Sequence, residues 1–173
     1  RPPVPVIVET SARKTVPVQL HAIGNVEAYS TVSVKARVGG ELVNVHFREG
    51  QDVNKGALLF VIDPKPYEAA LNAVEANLSR DKALAKKAED DLIRYSALLK
   101  EELVSREKYE QVYASAEALK AVLKADMAAV ENARLQLGYC SIYAPVSGKT
   151  GSLLVNKGNL IRANVEKPMV VIN

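Results

Sequence analysis

Between Pro66 and Leu137 the chain contains no glycine and is dominated by alanine, leucine, lysine and glutamate. This stretch restricts the fold more than any other feature, because such a composition forms long helices. Apolar or small residues recur at Leu71, Val74, Leu78, Ala85, Ala88, Leu92, Tyr95 and Leu99, in alternating three-and-four spacing broken once by Asp81. That is a heptad seam. After Leu103-Val104-Ser105 the spacing returns at Tyr109, Val112, Ala116, Leu119, Leu123, Val130, Ala133 and Leu137, broken once by Asp126. In an antiparallel hairpin, facing residues have position numbers of nearly constant sum. Leu71 with Leu137, Leu78 with Val130, Ala85 with Leu123, Leu92 with Ala116 and Leu99 with Tyr109 all total 208, and the intervening layers total 207.

The mirrored seams predict two antiparallel helices over residues 64–137, with the turn near 101–105. Ser105 is the expected N-cap of the second helix, its hydroxyl available to a free backbone N–H. Pro66 suits a first helical turn. At 1.5 Å per residue each helix is roughly 50 Å long, too long for a small domain to cover, so the hairpin must project. The register also sets Asp81 opposite Asp126. Two facing carboxylates weaken a seam unless they stay hydrated or find Arg80, Lys82 or Lys124, which predicts a soft layer midway along the hairpin.

The segments flanking the helices repeat one another at a shift of about 108. Ser33, Val34, Ala36, Val38, Gly40, Gly50 and Val53 fall on Ser141, Ile142, Ala144, Val146, Gly148, Gly158 and Ile161. After a small length change, residues 59–63 fall on 169–173. Both copies carry β-branched, near-alternating runs with glycines at the breaks, as short strands and tight turns require. Neither copy is large enough to stand alone, so residues 33–63 and 138–173 are expected to pack together as one small β-sandwich. The fold class is α+β, a sandwich split by a helical hairpin. The glycines match no dinucleotide or P-loop fingerprint.

A net charge of +3, from 23 basic and 20 acidic side chains interspersed along 173 residues, lacks the basic footprint of a nucleic-acid binder. No stretch approaches the ~20 apolar residues of a spanning helix. His21 and His46 have no nucleophile motif around them, and with Cys140 they have no metal-ligand spacing. Neither an enzyme nor a metal site is expected, and no cofactor. Cys140 reads as a small buried filler.

The run Val38-Gly39-Gly40-Glu41-Leu42, then Phe47-Arg48-Glu49-Gly50-Gln51-Asp52-Val53-Asn54-Lys55-Gly56, then Leu59-Phe60-Val61-Ile62-Asp63-Pro64 resembles the first lipoyl half of the periplasmic adaptors, the membrane fusion proteins of resistance-nodulation-division (RND) efflux pumps. Ile142-Tyr143-Ala144-Pro145-Val146-Ser147-Gly148 resembles the second half. The resemblance covers nearly the whole chain. It implies a lipoyl-like sandwich, no chemistry of its own, and a periplasmic location with an inner-membrane anchor in the full-length protein. It also implies three partners: a TolC-type outer-membrane channel, an inner-membrane RND transporter gripped through domains outside this sequence, and further copies of the adaptor as a trimer or hexamer.

At the hairpin tip that family carries an Arg, a Leu four residues on and a Ser seven beyond it, used to engage the channel. Arg94, Leu98 and Ser105 stand at those spacings. The resemblance therefore implies channel docking for the three. Spacing alone favours the plainer reading of the three as a solvated charge, a partly packed apolar residue and a helix cap, and the resemblance reverses that preference. Glu101 and Glu102 at the tip could tune docking, or form a solvated turn. Residues 1–32 read as extended, with Val4, Val6 and Val8 and then Val16, Val18 and Leu20 alternating, and the resemblance makes them strands of an incomplete neighbouring β-barrel.

Two other readings stay open. A lipoyl or biotinyl carrier presents a modifiable lysine between its sandwich halves, and Lys65 lies near that place, but between Pro64 and Pro66. A purely structural coiled-coil protein accounts for the hairpin and leaves the repeat unexplained.

Overall fold

The computed structural model describes residues 1–173. Four strands, β1 (Val32–Val34), β2 (Gly40–Val45), β3 (Asp52–Val53) and β4 (Leu58–Ile62), precede two helices, α1 (Lys65–Lys100) and α2 (Arg106–Gly138). Four more follow: β5 (Ser141–Tyr143), β6 (Gly148–Lys149), β7 (Leu160–Ile161) and β8 (Val170–Ile172).

The strands before the helices pair with those after them. β1 runs antiparallel to β8, β2 to β7, β3 to β6 and β4 to β5, while β2 with β4 is the one pairing inside a half. The registers obey the sequence repeat. Val34 faces Val170 as Ile142 faces Phe60, and Gly40 faces Ile161 as Gly148 faces Val53. Hydrogen bonds outside the strands repeat as well: Asn164 N–H donates to the carbonyl of Ala36, and Gly56 N–H to that of Ala144. The two copies are thus related by an approximate two-fold exchange.

That exchange explains two backbone conformations. Gly56, with φ 86°, and Asn164, with φ 56°, occupy equivalent turns in the left-handed region. Glycine enters that region freely, and asparagine is among the few other residues that tolerate it. The core lies between the halves and draws on both. Val34, Phe60 and Ile62 from the first meet Ile142, Val170 and Ile172 from the second, all buried.

The hairpin follows the heptads. In α2 the side chains not fully exposed are Tyr109, Val112, Ala116, Leu119, Leu123, Asp126, Val130, Ala133 and Leu137, which are the seam positions and no others. Across the seam Arg134 donates to Glu75 Oε1 at 2.8 Å. α1 starts behind Asp63, whose Oδ1 accepts from Lys65 N–H at 3.2 Å, with Glu68 in its first turn and Lys100 in its last, each at the end of the helix dipole that favours its charge.

Residues 1–31 form no strand, and their side chains are exposed. The strands expected there do not form within this chain. An isolated extended segment leaves its N–H and C=O groups unpaired and its valines nothing to bury against.

Candidate functional site

The hairpin tip is built by a helix stop and a helix start with five residues, 101–105, between them. At the end of α1 the N–H of Leu103 donates to the carbonyl of Leu98 at 2.9 Å and that of Glu102 to Leu99 at 3.1 Å, a Schellman arrangement that satisfies two orphan carbonyls. Such a stop needs a left-handed residue. Glu102 supplies it, with φ 58°, in a place where glycine is usual. α2 then begins behind Ser105, which is extended and accepts a hydrogen bond from Lys108 N–H at 3.2 Å.

Arg94 is exposed, at 65% of its side-chain surface, and its guanidinium is paired with Asp91 one turn back. Leu98 is half-buried, one turn nearer the tip on the same helix, and Ser105 is exposed across the bend. The structure therefore sets Arg94 and Leu98 on successive turns of α1 and gives the Ser105 hydroxyl a capping task. An exposed ion pair contributes at most about 1 kcal/mol, so Asp91 does not lock Arg94 away from a partner.

Two further residues near the tip lie outside the Arg94, Leu98 and Ser105 spacing: Ile93, 64% exposed, and Leu103, 65% exposed. Both are large apolar side chains in solvent near the tip. Ile93 falls off the seam in the heptad register, and that position was the available signal. Tyr109 and Tyr113 add a ring pair with centroids 6.3 Å apart on the first turns of α2.

No group of acidic, histidine or cysteine side chains is arranged to hold a metal. His21 and His46 are exposed. Lys65 is the first residue of α1. Cys140 is buried at the root of the hairpin, with its sulfur 3.7 Å from the carbonyl of Gln136. Burial pushes its thiol pKa up, helped by the negative charges of Asp63 and Glu68. No helix is long and apolar enough to cross a membrane.

Residues 30–173 match the family described as "RND MFP, barrel-sandwich hybrid domain". The multidrug resistance protein MdtA of Proteus mirabilis is 44% identical over all of this chain and 42% of its own length, so the chain spans about two-fifths of the relative it matches. Among solved structures, a MacA–MexA chimera carrying the Pseudomonas aeruginosa MexA α-hairpin domain is 32% identical over 84% of this chain and 47% of its own, with a TM-score of 0.58. The periplasmic adaptor EmrA shares the fold, at 16% identity over 84% of this chain and 72% of its own, with a TM-score of 0.60. With the matched region reaching from two residues before β1 to the end of β8 and taking in the whole hairpin, the chain belongs to the membrane fusion (adaptor) proteins of RND efflux pumps.

Proposed function

We propose that the full-length protein is a periplasmic adaptor, anchored at the inner membrane, that links an RND transporter to a TolC-type outer-membrane channel through the tip of its hairpin. One observation carries the reading. A two-helix arm of roughly 50 Å holds Arg94, Leu98 and Ser105 at its far end, and adds exposed Ile93 and Leu103 to them. Arginine offers a planar fork of donors for channel carbonyls or carboxylates. The apolar residues supply contact area, and the serine supplies an end-on polar group.

The β-unit, as the lipoyl-like sandwich, would set the packing of neighbouring copies into a trimer or hexamer whose hairpins bundle around the substrate path. Residues 1–32 would complete a β-barrel with chain beyond this sequence. That would give Val4, Val6 and Val8, all strongly exposed here, a surface to cover. The two halves, 33–63 and 138–173, act as one body and the hairpin 64–137 as its reach.

The test is drug susceptibility of cells carrying the full-length protein with Arg94→Asp, Leu98→Asp or Ser105→Arg. Loss of resistance at normal protein levels is expected for each. Full resistance in all three removes the docking surface. Because Ser105 also caps α2, Ser105→Thr serves as its control, keeping the cap and retaining resistance.

A further inference from the structure

Midway along α1, Asp81 is 7% exposed, a charged side chain inside a coiled-coil seam. Its two oxygens accept from one guanidinium, Arg80 Nε at 2.8 Å and Arg80 Nη2 at 2.9 Å. Arg80 itself is largely exposed, so it reaches inward from the surface to hold that carboxylate. The mirror residue on α2, Asp126, has no such donor. Its Oδ2 is buried and finds no hydrogen-bond partner.

A buried carboxylate oxygen with nothing to accept from costs free energy. Across the seam, however, lies the Asp81 carboxyl, an acceptor. A proton on Asp126 turns the unsatisfied oxygen into a donor and satisfies both groups at once. The layers on either side are apolar, Leu78 with Val130 and Ala85 with Leu123. On α1 the other nearby charge is Lys82 and on α2 it is Lys124, both exposed. Arg80, Asp81 and Asp126 are the charged groups in contact at the layer.

We propose that the Asp81–Asp126 layer is a proton-linked joint: one proton shared across the seam, with Arg80 clamping Asp81, closes the hairpin at its middle, and loss of that proton loosens it there. The two carboxyls are driven apart in the matching sense. The hydrogen bonds from Arg80 hold Asp81 below the ordinary carboxylate range, against the opposing effect of burial. Burial pushes Asp126 above it, reinforced by the hydrogen bond that its protonated form can donate to Asp81 and by the charge of Asp81.

The sign follows from linkage. Asp126, raised when folded, contributes stability that is complete below the ordinary carboxylate pKa of ~3.9 and is lost as pH climbs through the raised value. Asp81, lowered when folded, contributes stability that is present above the ordinary value and is lost as pH falls through the lowered one. The joint is tightest near ordinary carboxylate values and softens toward neutral pH.

Three measurements on the 173-residue chain test this. A carbon-13 carboxyl titration by NMR should show Asp126 titrating above the ordinary range and Asp81 below it. Both titrating together in the ordinary range would overturn the proposal. Amide exchange around residues 78–84 and 123–129, corrected for the chemical rate, should report opening that rises by up to about tenfold per pH unit between ~3.9 and the Asp126 value. Asp126→Asn keeps a donor for Asp81 and carries no titrating proton, so it should abolish that rise. An identical rise in the variant would refute the proton link. Should Asp126→Asn fail to fold, the titration of the native chain still decides. Asp81→Leu with Asp126→Leu should melt higher than the native chain at neutral pH, and a melting temperature equal or lower there would count against a soft layer.

Discussion

Glu75 on α1 and Arg134 on α2 meet at 2.8 Å across 59 residues of intervening chain, at positions whose numbers differ by one step from the register of the seam beside them. The contact reports the hairpin's alignment from outside its apolar core. Both side chains are partly exposed, so each single charge removal, Glu75→Gln or Arg134→Gln, is expected to cost about 0.2–1 kcal/mol in chemical denaturation. Exchanging the two residues should recover most of the loss. A swap that costs more than the sum of the single changes would show the helices aligned differently.

At the tip, Glu102 holds φ 58° in the position where a Schellman stop favours glycine. A non-glycine residue in the left-handed region costs roughly 1–2 kcal/mol, and a glycine there loses part of the gain to a more flexible unfolded chain. Glu102→Gly should therefore raise stability by roughly 1 kcal/mol. If the variant also weakens resistance in cells, the carboxylate takes part in docking as well as in the turn.

Two glycines separate backbone need from backbone freedom. A Cβ on Gly148 would lie 2.5 Å from the carbonyl oxygen of Asn173 and 2.9 Å from Ile172 Cγ2, where main chain cannot move aside cheaply. Gly148→Ala should lose about 1–3 kcal/mol through overpacking. Gly138, the last residue of α2, has nothing within 4 Å of the same point. Gly138→Ala should gain about 0.4–1 kcal/mol, chiefly by restricting the unfolded chain. Equal losses at both positions would mean that the backbone at Gly148 does not lie as close to Ile172 and Asn173 as these distances state.

Cys140 is 1% exposed, and burial holds its thiol above the usual range. Thiolate is the reactive form, so labelling by a thiol reagent should be slow in the folded chain and become rapid in denaturant. Fast labelling under native conditions would show that the root of the hairpin opens locally.

The helical arm was legible because its information is local. The three-and-four spacing states which face of each helix is buried, and a constant sum states how two such faces meet, so the buried positions of α2 could be named one by one. The 108-residue repeat was legible too, as likeness between Ser33-Val34 and Ser141-Ile142 or Gly40 and Gly148. What each copy does with the other was not. Likeness between two segments is silent on whether they stack as separate sheets or pair strand with strand, as β1 with β8 and β4 with β5 do, because pairing is a relation between distant residues that no local pattern carries.

The same division holds inside the seam. Asp81 and Asp126 are the same residue type at mirrored positions, and the sequence by itself determined that two carboxyls would face each other. It also offered Arg80, Lys82 and Lys124 as counter-charges without ranking them. The tertiary structure broke the tie, since Arg80 reaches both oxygens of Asp81 and leaves Asp126 Oδ2 unpaired. Which of two identical groups has its pKa lowered and which raised is decided by the donor that reaches Asp81, because hydrogen bonding and burial act over a few ångströms of three-dimensional arrangement.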